Sequence, residues 1–188
     1  RSAAQAASHY TASAMPRPLI KHCRQCGTPV QYRIPDDGDT RERAVCPACG
    51  TIHYVNPLLV VGTVPYLGDQ VLLCQRAIEP RRGKWTLPAG FMEMDETLAQ
   101  GAARETAEEA GARIEMGAFY SAMSIPRIGQ VHVFYLARLL SAHFDPGPES
   151  AQARLFTEDQ IPWDELAFTA VRRTLECFFE DRRRGGFG

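Results

Sequence analysis

The chain has 188 residues, of which 45% are hydrophobic, and 21 basic side chains against 22 acidic ones leave a net charge of −1. That length accommodates one ordinary domain with a real core plus a small module. The near-neutral balance excludes a global pull towards nucleic acid or an anionic membrane, so small phosphorylated ligands suit the chain better than a polyanion. No apolar run approaches the ~20 residues needed to cross a bilayer.

The first fourteen residues, RSAAQAASHYTASA, are rich in Ser and Ala and contain no acidic side chain. They read as an upstream extension ahead of a native start at Met15, with a transit-peptide remnant as the alternative, and residues 1–18 are expected to be disordered. A secretory signal needs a basic start followed by an apolar stretch, and neither is present. A cytoplasmic location is therefore expected.

Residues 19–55 carry two C-x-x-C knuckles, Cys23 with Cys26 and Cys46 with Cys49, nineteen residues apart. Four thiolates at this spacing match a structural zinc ribbon. Two disulfides are the alternative, disfavoured without a secretory context. Gly27 and Gly50 follow the second cysteine of each knuckle and allow a tight turn in which amides approach sulfur. PVQYRIP and RAVC predict short strands around the polar turn DDGDT. A unit this small has too little core to stand alone, and zinc would supply the staple.

Residues 56–184 form the second predicted unit. LLVVGTVPYL and QVLLCQR flank Gly68-Asp69 and read as a hairpin. EPRRGKWTLPAG is expected to be a loop. A helix should begin near Asp95 and run through Ala110, because the stretch lacks proline and is rich in Ala and Glu. RIEMGAFYSAMSI and QVHVFYLARLL follow as strands around PRIG, then the loop SAHFDPGPESAQ and a strand at ARLFT. An amphipathic helix from about Thr169 to Arg184 comes last, ahead of a frayed RRRGGFG tail. Cys74 and Cys177 lie in apolar surroundings and are expected to be buried small hydrophobes.

Within the first helix, successive residues advance by about 100°, which places Glu105, Glu108 and Glu109 on one face. The same face carries Leu98, Gly101 and Ala102, so it should pack against the protein body. Glu105 and Glu109 stand at the i, i+4 spacing where like charges repel. A cation should compensate, and hard oxygen donors select Mg²⁺ or Mn²⁺. The alternative is a solvated acidic face.

The wider pattern decides between them. Gly90, Glu96, Arg104, Glu105, Glu108, Glu109 and Gly111 reproduce the spacing of the Nudix box, and the chain resembles a Nudix hydrolase with an N-terminal zinc ribbon. Two positions depart from the family's usual aliphatic residues, Thr106 and Ala112. The resemblance implies an α/β fold, a Nudix-type α/β/α sandwich with a mixed sheet, preceded by the four-cysteine ribbon. It also implies metal-dependent hydrolysis of the pyrophosphate bond in a nucleoside diphosphate derivative. Glu105 and Glu109, with the main-chain carbonyl of Ala89, are then the direct metal ligands, and Glu108 is a further ligand or holds a metal-bound water. Arg104 orients a box glutamate, Glu96 is an outer carboxylate, and Glu93 is within range of a metal. Glu149, in a loop just before a strand, resembles the downstream glutamate that acts as general base in relatives.

Substrate contacts are expected from Arg76, Arg81, Arg82, Lys84 and Arg127, and base stacking from Trp85, Phe119, Tyr120 or Phe134. NADH pyrophosphatases share an S-Q-P-W-P-F-P-x-S segment, which is replaced here by SAMSIPRIGQ at Ser121 to Gln130. With TLPAGFME before the box, IPRIGQ after it and PGPES further on, the chain resembles the FAD and ADP-ribose pyrophosphatase group more closely, which implies release of AMP plus FMN or ribose 5-phosphate. NADH or RNA-cap hydrolysis, with the ribbon touching RNA, is the alternative. The ribbon's Lys21, Arg24, Arg33, Arg41 and Arg43 are interrupted by Asp36, Asp37, Asp39 and Glu42, so a nucleic-acid partner is not expected. A homodimer is expected on the family resemblance alone.

Overall fold

Residues 19–186 are described in the structure, a computed structural model. The extension expected at residues 1–18 lies outside them. The described residues form two units, one comprising residues 19–57 together with Pro126–Gly129, and one comprising Leu58–Ile125 with residues 130–186.

The first unit contains a three-stranded antiparallel sheet of β1 (Gln31–Arg33), β2 (Arg43–Val45) and β3 (Ile52–His53), in that order. The two-residue β3 escapes sequence reading because its pairing to Ala44 and Val45 is set by the knuckle rather than by any run of its own. Both knuckles turn identically, with the Gly27 and Gly50 amides donating to the Cys23 and Cys46 carbonyls.

The second unit is built on a seven-stranded mixed sheet. Its main path runs β10 (Ser150–Phe156), β5 (Gln70–Arg76), β4 (Leu58–Leu67), β9 (Gln130–Leu139), β8 (Ile114–Ile125). The β4–β9 pair is parallel, and the other pairs are antiparallel. Alternation along the strands sends side chains to two cores. Val61 and Val133 pack with Ala102 of α1 (Leu98–Ala110). Val64, Phe134 and Leu136 pack with Val171, Leu175, Phe178 and Phe179 of α2 (Thr169–Arg183). One helix therefore covers each face, giving the α/β/α sandwich.

Four local expectations are corrected. The segment EPRRGKWTLPAG is not all loop, because Trp85–Thr86 pairs with β5 as β6 and Ala89–Phe91 pairs with β4 as β7. α1 begins at Leu98 rather than near Asp95, because Thr97 is its N-cap (φ −78°, ψ 161°) and forms a reciprocal capping box with Gln100. The C-terminal arginines are not frayed from Arg182 onward. α2 continues to Arg183, which pairs with Glu158, while Arg184 pairs with Glu180. Cys74 is buried as expected, but Cys177 is exposed, since it falls between the buried Thr174–Leu175 and Phe178–Phe179 stripes on the outer side of α2.

Candidate active site

α1 and the strand before it assemble the carboxylates. Glu105 and Glu109 are only 9% and 7% exposed, whereas the Glu108 side chain is 60% exposed. The face therefore divides into a buried pair and an outlying third member. Gly90 lies in β7, and glycine is required there by close approach. A Cβ there would collide with the Glu105 carboxylate. The neighbouring Ala89 amide donates to Glu109 Oε2 at 3.1 Å.

Thr106, where an aliphatic residue was the family expectation, is fully buried without an unmet hydroxyl. Its Oγ1 donates to the Ala102 carbonyl at 2.8 Å and lies 2.7 Å from Thr63 Oγ1. Ala112 is buried as well.

Arg104 ties the cluster together. Its Nε and Nη2 donate to both oxygens of Glu96 at 2.9 and 2.7 Å. Nη2 also donates to the Phe91 carbonyl, and Nη1 donates to Glu105 Oε1 at 2.7 Å and Glu108 Oε2 at 3.0 Å. The bidentate partner is thus Glu96, and the box glutamates receive single bonds. Glu96 further accepts the Glu93 amide at 2.8 Å. The Arg104 guanidinium, helped by that amide, holds the Glu96 carboxyl down to about 2.

The buried pair behaves oppositely. Desolvation raises Glu105 above the usual carboxylate range, partly offset by Arg104. Burial raises Glu109 to about 7, against the Ala89 amide and with a further push from the charge of Glu105. Two buried carboxylates, one without a guanidinium bond, are the donor set that a hard divalent cation would neutralise, and Mg²⁺ or Mn²⁺ fits them.

The remaining candidates divide. Glu149 is exposed, and its charge is near enough to raise both Glu105 and Glu109. Arg76 lies near enough to lower Glu109, with its Nε donating to the Pro80 carbonyl and its guanidinium over the Phe168 ring. Arg81 and Arg82 are exposed, with Arg81 at φ 67°. Lys84 is held by Glu165 at 2.6 Å. Arg127 lies in a 3-10 turn that groups with the first unit.

Trp85 is 7% exposed and packs edge-on against Phe156 in the core, which leaves no open ring face for a base. Phe134 is likewise a core residue, and Tyr120 anchors Asp181 of α2. Phe119 keeps an exposed ring against Tyr135. Phe91 was not anticipated. It is 52% exposed in β7, immediately after Gly90, and its carbonyl is held by Arg104. An aromatic directly following the box glycine was the available signal. A recess of about 490 Å³ lined by Tyr66, Arg138 and Arg182 shares no residue with this cluster.

In the first unit, the Cys23, Cys26, Cys46 and Cys49 sulfurs all lie within 4.8 Å of one another. Three of the separations are 3.5 to 3.6 Å. A tetrahedron with Zn–S of ~2.3 Å has sulfurs ~3.8 Å apart, and a disulfide would need ~2.0 Å. All four are free thiols, so zinc fits and the disulfide alternative does not. Bonds from the Thr51 hydroxyl and amide lower Cys49 to about 6, whereas its neighbour Cys46 is raised, so the four thiols are not equivalent without a metal.

The sandwich, the carboxylate helix and the four-thiol knuckles together define a Nudix fold with an N-terminal zinc ribbon, and the chain belongs to the Nudix family. The NUDIX domain model matches residues 57–176, and the Nudix N-terminal zinc-ribbon model matches residues 21–55. Among solved structures, a NUDIX hydrolase from Nitrosomonas europaea is 53% identical with a TM-score of 0.85, covering 89% of this chain and 94% of that one. The NAD-capped RNA hydrolase NudC of Deinococcus radiodurans is 32% identical over 171 residues, 87% of this chain and 58% of that protein. The ADP-ribose pyrophosphatase of Methanocaldococcus jannaschii is 26% identical over 119 residues, 61% of this chain and 69% of that protein. The chain spans under three-fifths of the NudC proteins it matches.

Proposed function

We propose that the chain hydrolyses the pyrophosphate bond of a nucleoside diphosphate derivative, with ADP-ribose or FAD as substrate and AMP plus ribose 5-phosphate or FMN as products. The observation that carries this is the buried Glu105–Glu109 pair, walled by Gly90 and braced by Arg104. A pyrophosphate repels nucleophiles, so its hydrolysis depends on charge neutralisation and in-line positioning of water. Bound Mg²⁺ or Mn²⁺ would supply the neutralisation. Glu105, Glu109 and the Ala89 carbonyl would hold the ion, with Glu108 at the margin. Glu149 would take the proton from the attacking water, a role worth about 10²–10⁴-fold in rate. Arg76, Arg81 and Lys84 would meet phosphate oxygens, and the exposed Phe91 ring offers a stacking surface for a base.

Replacement of the nicotinamide-associated segment by SAMSIPRIGQ supports the ADP-ribose or FAD assignment. The pairing of Arg33 with Asp36 and of Arg43 with Asp39 disfavours RNA binding by the ribbon. A second reading, NADH or NAD-capped RNA as substrate, is favoured by the NudC match, which spans 171 residues. A homodimer is proposed from family resemblance, with light scattering as its check. Among the described residues no helix is long and apolar enough to cross a membrane.

Incubation with ADP-ribose, FAD, NADH and NAD-capped RNA, each with Mg²⁺ or Mn²⁺, tests the proposal by mass spectrometry of products. AMP with ribose 5-phosphate or FMN, absent with Glu109→Gln, is the expected result. Preferred cleavage of NADH or capped RNA establishes the second reading, and cleavage undiminished in Glu109→Gln overturns the assigned site.

A further inference from the structure

The loop that leaves β9 returns to the C-terminal end of α1 and makes contact through main chain on both sides. The Asp145 amide donates to the Ala110 carbonyl at 3.0 Å. Gly111 caps α1 at φ 59°, and a Cβ on it would stand 2.7 Å from the Asp145 nitrogen. From the other side, a Cβ on Gly147 would collide with the carbonyl oxygen of Glu108. Neither position admits any other residue without displacing the loop. Just beyond the interlock, the Ser150 amide donates to the Gly147 carbonyl at 3.0 Å, and the Ala77 amide donates to the Glu149 carbonyl at 2.7 Å. Ser150 is 8% exposed, while the Glu149 side chain remains exposed. The backbone on both sides of Glu149 is therefore fixed, while its side chain is exposed.

We propose that Gly147, seated on the Glu108 carbonyl and opposed by Gly111 on Asp145, is a positioning residue that docks the Asp145–Glu149 loop onto α1 and sets the Glu149 carboxylate towards Glu105 and Glu109. The inference rests on Glu149 acting as the base in the function proposed above. Its physical basis is that the reacting group sits on a loop, and the loop takes its precision from the helix that carries the carboxylates. Glu108 contributes twice to that helix, its side chain bonded to Arg104 and its carbonyl forming the seat. A methyl group at Gly147 would lift the loop by a fraction of its own size, and displacement of a reacting group by ~1 Å can cost about 10²-fold in rate.

Four proteins test this: wild type, Gly147→Ala, Glu149→Gln and the double variant, assayed for kcat and KM, with amide exchange measured on the zinc-replete forms without added Mg²⁺ or Mn²⁺. Gly147→Ala is expected to lower kcat by about 10²-fold with KM little changed. It should speed exchange at Asp145 and Ser150 while the α1 amides keep their protection. The double variant should be no slower than Glu149→Gln alone, because both changes remove the same contribution. Gly111→Ala attacks the interlock from the helix side and should reproduce the faster exchange at Asp145, with any loss of protection in α1 confined to its last turn, which guards against a single misfolded variant. Losses that multiply in the double variant, or a Gly147→Ala enzyme with unchanged kcat, overturn the proposal. A fully active Glu149→Gln overturns the base assignment itself, while the exchange data still report on the docking.

Discussion

Two clusters of metal-donor side chains, the ribbon thiols and the proposed carboxylate site on α1, are built on opposite principles. In the ribbon, four soft sulfurs converge within 4.8 Å, and among the described residues no cationic side chain is bonded to them, so they suit tetrahedral coordination of a zinc ion. On α1 no three carboxylates gather that closely among the described residues. Arg104 instead draws Glu96, Glu108 and one oxygen of Glu105 towards itself, leaving Glu109 with an amide and no guanidinium. The first arrangement suits an ion that holds the fold together. The second keeps an open, incompletely neutralised pair that suits an ion shared with a substrate.

The largest expected effect breaks the closed site. Structural zinc in small knuckles contributes roughly 10–16 kcal/mol of binding free energy, so Cys46→Ser or strong chelation should unfold the ribbon. Loss of its resonances in an amide correlation spectrum, with the sheet resonances retained, is the readout. Purified wild type should carry one zinc and release six titratable thiols when denatured. Four missing thiols would contradict the zinc assignment.

The next effect sharpens the open site. Glu109 is raised from a usual 4.5 to about 7, so the unfolded chain ionises first, and the stability of the zinc-replete protein without Mg²⁺ or Mn²⁺ should fall as pH rises between those values. The expected loss is roughly 3 kcal/mol at most, removed by Glu109→Gln and reversed by Mn²⁺. Glu96 acts in the opposite direction and in another window. Its carboxyl is held down to about 2, so its contribution is present above the usual 4.5 and is lost as pH falls towards 2. Urea titrations at stepped pH separate the two, and a zinc-replete protein without Mg²⁺ or Mn²⁺ whose stability stays flat from pH 4.5 to 7 would contradict the Glu109 assignment.

The smallest effect is at Cys177. Because it is exposed, Cys177→Ser should change stability by no more than about 0.5 kcal/mol, whereas Cys74→Ser in the core should cost more. Thermal melts of the two variants provide the check.

The sequence is most legible where a signal is long or doubly constrained. β4 and β5 match the apolar runs LLVVGTVPYL and QVLLCQR residue for residue. α2 is placed by its apolar stripe, and the knuckles and box are fixed by spacing. What escapes is whatever depends on a partner distant in the chain. β6 and β7 are two and three residues long and exist only because β5 and β4 accept them. Trp85 looks like a stacking residue until β6 turns it into the core. The need for glycine at Gly90 shows only once the Glu105 carboxylate is seen against it. Glu96 pairs with Arg104 across eight residues, a contact that spacing suggests only after the helix start is known to lie at Thr97.

The most direct test of the central claim is Mn²⁺ binding followed by electron paramagnetic resonance, in zinc-replete wild type and in Glu105→Gln/Glu109→Gln. Wild type should take up Mn²⁺ and the double variant should not, with the zinc content of both unchanged. Equal Mn²⁺ uptake by both proteins would show that the buried pair is not the catalytic metal site.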